Sequence, residues 1–519
     1  MSMAETKMVR KAERKYYSCQ PIDTDLAAAL ASAAAGSGNG ESTKSPREPV
    51  MLTLSATYFD TQDLRLARSR ITLSRWTGGK DDGWHLRFAA SSDGGDQVRL
   101  SPGDTLTPPA WLVALTRAAH RGAALLPIVE LATVRREWML TDVAGHPVAT
   151  VTDDRVAGHT LGTQTRVKAW AEIEVELSEH GTDEVLDRIE RALLNAGARR
   201  ADSGSKLPRV LAGHLPWAPQ RPVAIKDATA AEGVLAYLRE QAEALRATDP
   251  RVRQGVPGSV DAMRAACLRM LSTLQSFRVV LERDRTEPLV VELRWLAARL
   301  GRVCDFKVQQ RRIGGAVSAL PPELALGPVA AQTTRFFARR RANAAQAAEE
   351  ALNSDRYLAL LDAVHALLHD PPLTPAAAAP TSVLLPTTVA EAVERAHRAL
   401  RAANARPPGP MRDEHLDELR KAANRLRYAA ETVVPVRGRT AKRLVKQATA
   451  VQKLLREHHH SLMARGLLRE LGAAAAVHGG NGFAFGWLVR DEQARAEGQE
   501  AKLEAAFAKL RRRARALTG

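Results

Sequence analysis

Residues 172–177 read EIEVEL, so three carboxylates alternate with three apolar residues. Because a β-strand turns successive side chains to opposite faces, Glu172, Glu174 and Glu176 would share one face of a strand. One interpretation is an antiparallel strand that packs its apolar side on a core and leaves its glutamates in water. The other places the carboxylates inside a barrel, where they need metal ions or basic side chains beside them.

The first 215 or so residues contain short β-type runs that would supply the strands of such a barrel. These runs are MLTLSATYF, SRITLSRW, GWHLRF, QVRL, TVRREWML, PVATVTDD and TRVKAWAEIEVEL. Turn sequences such as TGGKDDG separate them, and this spacing predicts an antiparallel meander that closes on itself. Residues 183–200 have a helical pattern. Residues 27–48 are low in complexity, and we interpret them as a flexible insertion.

From about residue 226 the pattern changes to helices rich in Ala, Leu and Arg, with apolar residues three and four apart. The stretch LPWAPQRPVA before it indicates a linker, and the Pro/Ala stretch at 370–386 divides the helical part in two. The predicted organisation is a first domain at 1–215, a linker at 216–225 and a helical domain at 226–519. Within the helical domain, repeats are predicted at about 226–369 and 387–519.

The two helical parts resemble each other in sequence. VDAMRAACLRML (260–271) aligns with LDELRKAANRLR (416–427). The aligned pairs are Asp261 with Asp417, Arg264 with Arg420, Ala266 with Ala422 and Arg269 with Arg425. An internal duplication predicts two similar bundles that face each other across a pseudo-twofold axis. Two such helices could line a shared basic groove.

Composition narrows the class of partner. The formal charge of +17 and the sequence pI of about 10.2 indicate that the binding partner is a polyanion. Aromatic residues are only 4% of the chain, which favours phosphate chains without bases over nucleic acid. The three scattered cysteines contain no CxxC pair, so they indicate a reducing compartment and no structural zinc. We find neither a signal peptide nor a membrane span, and expect a soluble, cytoplasmic protein.

A run of three histidines, HHH at 458–460, raises the question of a metal site. Consecutive residues of a helix point in different directions, so these three side chains cannot all bind one ion. No site is therefore assigned to them from the sequence.

Several motifs resemble known families. KAERKYY near the N-terminus, together with EIEVEL, resembles the CYTH family of triphosphate tunnel proteins, whose N-terminal signature is ExExK. RYAAE and its duplicated partner resemble the CHAD (conserved histidine α-helical) domain. The runs YFDTQDLRLARSRITL, SKL, ELRWLAARLG and LLREHHH are similar to the actinobacterial tandem form. The resemblance implies an α+β multidomain protein, with an eight-stranded antiparallel β-tunnel followed by an all-α domain of two pseudo-symmetric bundles.

The resemblance also implies functional residues. In the tunnel, Mg²⁺ or Mn²⁺ would be held by Glu13, Glu172, Glu174 and Glu176, and phosphoryl oxygens by Lys15, Arg87, Arg135 and Lys206. Of these, Lys15 and Glu174 are assigned as catalytic, and Asp153 is a candidate acidic partner. In the helical domain, polyphosphate would be bound by Arg264, Arg269, Arg339, Arg340, Arg420, Lys421, Arg425, Arg427, Lys442, Arg443 and Lys446. Any single one of these basic clusters could equally be an ordinary solvated face.

The chain departs from the family pattern in ways that bear on activity. Lys11 replaces the first glutamate of ExExK, and Ser74 and Trp76 stand where the family alternates two arginines. Arg75 should then point to the opposite face. Losing two charge-assisted phosphate contacts could weaken binding by roughly a hundredfold or more. The histidines that give the CHAD family its name are replaced by Asp261 and Asp417, and an intrahelical pair of Asp261 with Arg264 would explain the first as structural.

The leading hypothesis is a protein that binds inorganic polyphosphate or triphosphate, with weak or vestigial metal-dependent triphosphate hydrolysis in the tunnel. Whether it is an enzyme stays open; if so, it would be an inorganic triphosphatase-like hydrolase. The alternative is a non-catalytic module that associates with polyphosphate granules through the helical domain. Nucleic-acid binding, suggested by net charge alone, is the disfavoured third hypothesis. The sequence does not decide the oligomeric state.

Overall fold

In a computed structural model, the chain is described at residues 13–18, 20–36, 48–80, 82–88, 97–101, 105–162, 165–201, 206–211, 228–477 and 481–518. It separates into two compact units, Met1–Pro219 and Gln220–Gly519. The linker predicted at 216–225 lies outside the described residues, as do Lys11 and Cys19. The exact boundaries proposed for the helical repeats stay a prediction.

The described residues of the first unit form an antiparallel sheet of nine strands. Its strands are β1 (Glu13–Tyr17), β2 (Val50–Asp60), β3 (Ile71–Thr77), β4 (Gly83–Phe88), β5 (Gln97–Leu100), β6 (Leu126–Thr141), β7 (Pro147–Thr160), β8 (Val167–Leu177) and β9 (Arg199–Arg200). Their order in the sheet is β5-β4-β3-β2-β6-β7-β8-β1-β9. The predicted antiparallel β domain is confirmed, and the two-residue β9 adds a ninth strand to the expected eight.

The sheet curls so that one of its faces surrounds a shared space. β4 and β1 are separated by five strands in the sheet order. Even so, Arg87 of β4 interacts electrostatically with Glu13 of β1, and Tyr58 of β2 interacts with both Arg87 and Lys15. These interactions require the concave face to bring distant strands opposite one another, as in a tunnel. We call this face the tunnel face.

Helices cover the convex face of the sheet. They are α1 (Thr24–Ala35), α2 (Arg65–Arg68), α3 (Ala110–Leu115), α4 (Arg117–His120) and α5 (Asp183–Asn195). α1 and α5 pack on Tyr16, Ile173 and Val175, and the apolar alternation of EIEVEL therefore contributes to a core. α3 and α4 pack on a second cluster that includes Leu73 and Trp84. The glutamates of the same strand must consequently face the tunnel.

α1 corrects the interpretation of residues 27–48 as a flexible insertion. The helix occupies the first part of that segment, through Ala35. Asp23 caps it by accepting a hydrogen bond from the backbone N–H of Leu26 at 2.8 Å, and Ala27, Leu30 and Ala34 are buried. An alanine-rich sequence has high intrinsic helix propensity, and burial against the sheet supplies the remaining stability. Residues 37–47 lie outside the described residues.

A short helix, α6 (Leu207–Val210), packs on the tunnel side of the sheet. Leu207 and Val210 join Val156 of β7 in a buried apolar cluster. Gly158 of β7 allows this close approach, because a Cβ atom there would lie 2.8 Å from Val210 Cγ2 and 2.6 Å from Leu131 Cδ2. The helix thereby fixes Lys206, the residue that immediately precedes it.

The second unit is all helical, as predicted. Its first five helices are α7 (Ala230–Arg253), α8 (Ser259–Ser276), α9 (Arg283–Ser318), α10 (Val329–Asn353) and α11 (Asp355–His369). The following five are α12 (Thr381–Asn404), α13 (Pro410–Thr432), α14 (Val434–Val477), α15 (Phe483–Glu500) and α16 (Leu503–Thr518), and a short 3₁₀ turn, Pro375–Ala378, separates the two sets.

The two sets pack in the same way. α7 packs on α8, α8 on α9 and α9 on α10; correspondingly α12 packs on α13, α13 on α14 and α14 on α15. α8 and α13, which carry the aligned sequences, also contact each other. The expected pair of pseudo-symmetric bundles is therefore confirmed. Within the part of the chain that is described, no helix is both long and apolar enough to cross a membrane.

Candidate functional site

The glutamate ladder faces the tunnel and is paired with β1. Glu174 lies opposite Lys15, and Glu176 lies opposite Glu13. The Nζ atom of Lys15 is 3.3 Å from Oε1 of Glu174. Strand alternation puts all four side chains on one face, together with Glu172. The sharper interpretation of EIEVEL, a carboxylate wall beside basic side chains, thus describes the structure.

A buried ion network lies next to this wall. Asp154 of β7 accepts hydrogen bonds from Arg135 Nε and Nη2, at 2.7 and 2.8 Å. It also accepts one from Lys206 Nζ at 2.6 Å, and the same nitrogen is 3.3 Å from Glu172 Oε1. Glu172 accepts a further hydrogen bond from the indole of Trp170 at 2.8 Å. The side chains of Asp154 and Lys206 are 1% and 6% exposed, so their charges depend on each other for compensation.

The charges of this face shift the acidity of its carboxyls. Burial alone would raise the pKa of Glu174, but Lys15, Lys206 and Arg135 outweigh it and lower the pKa to about 2. In Asp154, likewise, the hydrogen bond from Arg135 and the charge of Lys206 overcome burial and lower the pKa. Glu13 behaves in the opposite way: desolvation by its neighbours, with the nearby Glu174, raises its pKa although Lys15 opposes the change. Glu174 and Asp154 are therefore held ionised.

The acidic residue on the tunnel face is Asp154, and the expectation that named Asp153 was wrong. Asp153 pairs in register with Ile173, on the convex side, where it accepts from the backbone N–H of Ile22 at 3.1 Å and contacts Arg136. A signal was present in the sequence. In PVATVTDD the buried Ala149 and Val151 share the alternation of Asp153, which predicts that Asp153 lies with them.

The strand register also gives the faces of the residues that depart from the family pattern. Ser74 pairs with His85 on the tunnel face, and Trp76 donates a hydrogen bond from Nε1 to Ser74 Oγ at 2.9 Å. Arg75 is paired with Trp84 on the convex face, as alternation predicts. Arg87 is on the tunnel face and exposed. The tunnel therefore has a serine and an indole where the family pattern has two arginines.

The carboxylates of the tunnel offer oxygen ligands suited to a hard divalent cation. Oε1 of Glu172 is buried and accepts no hydrogen bond among the described residues, and its charge partner is Lys206 Nζ at 3.3 Å. Glu13 and Glu174 are close enough to share a hydrogen bond. Within the described part of the chain, however, no three tunnel carboxylates bring ligand oxygens within 4.8 Å of one another. The donor chemistry fits a metal, while Lys15 and Lys206 already pair with Glu174 and Glu172.

In the helical unit, the predicted basic residues of α8 and α13 meet around one carboxylate. Glu431 is 3.0 Å from Arg269 Nε and 3.1 Å from Arg427 Nε, and it accepts from the hydroxyl of Tyr237 at 2.7 Å. Both guanidinium groups also lie over the ring of Tyr428, at 5.4 and 5.3 Å from its centroid. This contact joins the two pseudo-symmetric helices.

A pocket of about 470 Å³ lies between α12, α13 and the end of α8. Its basic lining residues are Arg278, which follows α8, Arg395 of α12 and Arg425 of α13, and its acidic one is Glu391. The buried Nε of Arg425 has no hydrogen-bond acceptor among the described residues. Burial lowers the pKa of Arg425, and the charges of Arg395, Arg278 and Arg294 lower it further. The pocket therefore carries more positive charge than its own side chains compensate.

The other predicted basic residues are more dispersed. Arg264 is 3.3 Å from Asp305, Arg420 is 2.7 Å from Asp417, and Lys421 pairs with both Asp417 and Glu418. The expected pair of Asp261 with Arg264 is replaced by this link to Asp305. Arg340 pairs with Glu470 at 2.6 Å. Arg339, Lys442, Arg443 and Lys446 are exposed on α10 and α14.

Sequence reasoning missed Arg278 and Arg395 of this pocket, and also Arg294, whose charge acts on Arg425. Each belongs to a different element from the aligned helices: Arg278 follows α8, Arg294 is in α9 and Arg395 is in α12. The packing of α12 on α13, of α8 on α13 and of α9 on α8 brings them together. No local pattern in the sequence could have predicted it.

Comparisons with known proteins assign both units to families. A family model of the CYTH domain matches residues 41–211, and a model of the CHAD domain matches residues 236–469. Uncharacterized proteins MT2285 and Rv2226, from two strains of Mycobacterium tuberculosis, are each 34% identical over 88% of this chain and 90% of their own.

Solved structures with similar folds were also found. PptA from Streptomyces chartreusis is 22% identical, with a TM-score of 0.47 over 54% of this chain and all of its own. The CHAD domain from the plant Ricinus communis is 24% identical, with a TM-score of 0.44 over 56% of this chain and 97% of its own.

Proposed function

Because this chain belongs to the family of proteins in which a CYTH domain precedes a CHAD domain, we propose that it binds inorganic polyphosphate and triphosphate. The observation that carries the proposal is the pocket between α12, α13 and the end of α8, which is lined by Arg278, Arg395 and Arg425 and by one acidic residue, Glu391. A chain of phosphates offers closely spaced anionic oxygens without bases, and guanidinium groups bind such oxygens through paired hydrogen bonds.

The pocket binds polyphosphate and the surrounding surface extends the site. Arg425 has an unsatisfied buried Nε and a lowered pKa, so a phosphate oxygen there would relieve both its missing acceptor and the repulsion among the arginines. Exposed cations of α14, such as Lys442 and Arg443, provide further contacts along a long chain. Binding should therefore weaken as salt increases.

The tunnel is the proposed site of triphosphate. Lys15, Arg135 and Lys206 would grip the phosphoryl oxygens, with Arg87 at the exposed part of the tunnel face. Glu13, Glu172, Glu174 and Glu176 would hold Mg²⁺ or Mn²⁺. When bound, such an ion neutralises charge on phosphoryl oxygens. Glu174 is ionised at neutral pH because of its lowered pKa, and it keeps Lys15 oriented into the tunnel.

Hydrolysis in this tunnel is proposed to be weak. Every tunnel cation with an assigned role other than Arg87 is already paired with a carboxylate, and a ligand has to compete with those pairs. Ser74 and Trp76 supply no positive charge on β3. An arginine that stabilises a phosphoryl-transfer transition state can increase the rate roughly a thousandfold, so its absence should lower the rate of hydrolysis.

The direct test of the tunnel is phosphate release from inorganic tripolyphosphate by the full chain, with Mg²⁺ or Mn²⁺. The double variant Glu174→Gln, Glu176→Gln removes two charges of the carboxylate wall. Glu179→Gln, an exposed position beyond β8, is the matched control. Slow release that disappears in the double variant and persists in the control supports an enzyme. Release that is equal in all three proteins contradicts the assignment.

The direct test of the pocket is the affinity of the full chain for long-chain polyphosphate. Arg395→Gln with Arg425→Gln should weaken binding by roughly tenfold to a hundredfold, because each charge-assisted contact is worth about 1.5–3 kcal/mol. Arg398→Gln, exposed on the same α12, is the control. If the pocket variant keeps full affinity, the site of binding lies elsewhere.

The pocket also favours a second candidate, a purely binding protein that associates with polyphosphate granules while the tunnel serves as a scaffold. If this candidate is correct, the unchanged protein should release no more phosphate than the Glu174→Gln, Glu176→Gln variant, and that variant should keep full polyphosphate affinity. It also expects the Arg395→Gln, Arg425→Gln variant to lose granule association in cells.

A further inference from the structure

The helical unit contains a cluster of metal-type ligands well removed in sequence from the tunnel. Asp413 in the first turn of α13, His458 in the middle of α14 and Glu500 at the end of α15 bring their side chains together. One ligand atom from each lies within 4.8 Å of the other two. Three consecutive helices therefore converge at one point.

The geometry of the cluster matches a coordination sphere. Nε2 of His458 is 3.0 Å from Glu500 Oε1 and 3.9 Å from Asp413 Oδ1. Zinc binds nitrogen and oxygen ligands at about 2.0–2.2 Å, so two ligands of a tetrahedral site are about 3.3 Å apart. Small side-chain adjustments would centre an ion among the three atoms. The His458 side chain is only 3% exposed, and its ring is held in place by packing.

The carboxylate of Asp413 is only weakly paired within the protein. Among the described residues its carboxylate accepts no hydrogen bond, and its one ion pair is the long contact with His458. A half-buried carboxylate with no close donor is stabilised by a cation.

Glu500 is oriented by a second partner. Its Oε2 accepts a hydrogen bond from Arg412 Nε at 2.8 Å, so that Oε1 is directed at His458. Metal-binding carboxylates commonly use one oxygen for the ion and are held through the other by a neighbouring donor. Arg412 and Arg465 are the cations close to the cluster, and they reduce its net negative charge without occupying its centre.

We propose that Asp413, His458 and Glu500 bind one Zn²⁺ ion that fastens the end of α15 to α13 and α14. The imidazole selects zinc over Mg²⁺ and Ca²⁺, which prefer oxygen ligands alone. Two carboxylates and a neutral imidazole balance the charge of the ion. The sequence-based expectation of no structural zinc considered cysteines, whereas this site uses none.

The test is zinc retention by the full chain. The background protein carries Glu174→Gln and Glu176→Gln, so that the tunnel contributes little metal binding. After removal of metal with a chelator, one equivalent of Zn²⁺ is expected to bind, as measured by elemental analysis after dialysis. Co²⁺ in its place should give the visible absorption of a low-symmetry nitrogen and oxygen site. Zn²⁺ should also raise the midpoint of thermal unfolding of the helical unit.

The variants separate this site from others. Asp413→Asn should weaken Zn²⁺ binding at least tenfold. The substitution should leave the fold intact, because Asp413 makes one long ion pair among the described residues. His458→Gln should remove binding. The controls are His415→Gln on α13 and Glu497→Gln on α15. Equal zinc retention in Asp413→Asn, His458→Gln and the controls, or no retention by the background protein, overturns the proposal. Neither result depends on triphosphate hydrolysis or on polyphosphate affinity.

Discussion

Replacing Asp154 with asparagine is the perturbation whose consequences follow most directly from the tunnel's geometry. Asp154 is 1% exposed and compensates two cations, Arg135 through two hydrogen bonds and Lys206 through one. Asparagine keeps the shape and one acceptor oxygen, but it loses the charge. Arg135 and Lys206 would then be left close together in a largely buried position, with Glu172 and Glu174 as more distant carboxylates.

The magnitude follows from the cost of uncompensated buried charge. Removing one partner of a buried ion pair typically costs about 3–5 kcal/mol, and the acceptor oxygen that asparagine retains puts the expected loss near about 3 kcal/mol. For a unit of roughly 200 residues, this corresponds to a decrease of about 6–12 °C in the unfolding midpoint. Urea unfolding of the full chain, followed by tryptophan fluorescence, measures the free energy of unfolding.

The effect of tripolyphosphate distinguishes the loss of charge compensation from a general loss of stability. In the presence of EDTA, the ligand should stabilise Asp154→Asn more than it stabilises the unchanged protein, because its oxygens replace the missing carboxylate beside Arg135 and Lys206. Asp153→Asn is the matched control. It loses contacts with Ile22 and Arg136 on the convex face, so it should also be destabilised, but with no change in the effect of the ligand.

Two results would refute this reasoning. A loss of less than about 1 kcal/mol in Asp154→Asn would mean that the buried network contributes little. An equal response of Asp154→Asn and Asp153→Asn to tripolyphosphate would mean that Arg135 and Lys206 do not meet the ligand.

Three further predictions concern other parts of the chain. The pKa of Glu174 is lowered from 4.5 to about 2, so its contribution to stability is present above about pH 4.5 and is lost as pH falls towards 2. In Glu174→Gln, the free energy of unfolding, measured in urea at several pH values, should therefore decrease less between pH 4.5 and 2. Gly158→Ala should cost about 1–3 kcal/mol, because the new Cβ meets Leu131 and Val210 and displaces α6, and a neutral effect in thermal unfolding would contradict this packing. Arg425→Met should stabilise the helical unit by about 1 kcal/mol and weaken polyphosphate binding, because the partly buried Arg425 is repelled by neighbouring arginines and serves binding rather than stability. A destabilised variant would show that Arg425 has a structural role.

Strand alternation explains why much of the tunnel could be predicted from the sequence. A period of two fixes which side chains share a face once the strand is recognised, and this was sufficient for the glutamate ladder, for Lys15 and for the outward orientation of Arg75. Alternation does not give the register between strands. The pairing of Arg135 with Asp154 depends on which residues of β6 and β7 lie opposite each other. The choice of Asp153 was a separate error, because the alternation in PVATVTDD already places Asp153 on the face of the buried Ala149 and Val151.

The helical unit shows a different limit. Its duplication was detectable because α8 and α13 repeat one another along the sequence. The pocket and the Asp413–His458–Glu500 cluster arise instead where three or more helices cross, and helix periodicity says which face is buried but not what it meets. His458 was set aside because its two histidine neighbours cannot share an ion with it. That argument was sound for the run of three, and it had no bearing on ligands from other helices.

The charge balance of the two proposed anion sites implies different requirements for a ligand. The tunnel face sets five assigned or neighbouring carboxylates, Glu13, Asp154, Glu172, Glu174 and Glu176, against the four cations Lys15, Arg87, Arg135 and Lys206. A triphosphate adds about four negative charges to this near-neutral set, so its entry there is favourable only with divalent cations beside it. The helical pocket sets Arg278, Arg395 and Arg425 against Glu391 alone and needs no added cation. Chelation of metal should consequently weaken triphosphate binding in the tunnel and leave polyphosphate binding in the pocket unchanged. Some triphosphate binding without metal should remain in the tunnel, and Asp154→Asn should strengthen it.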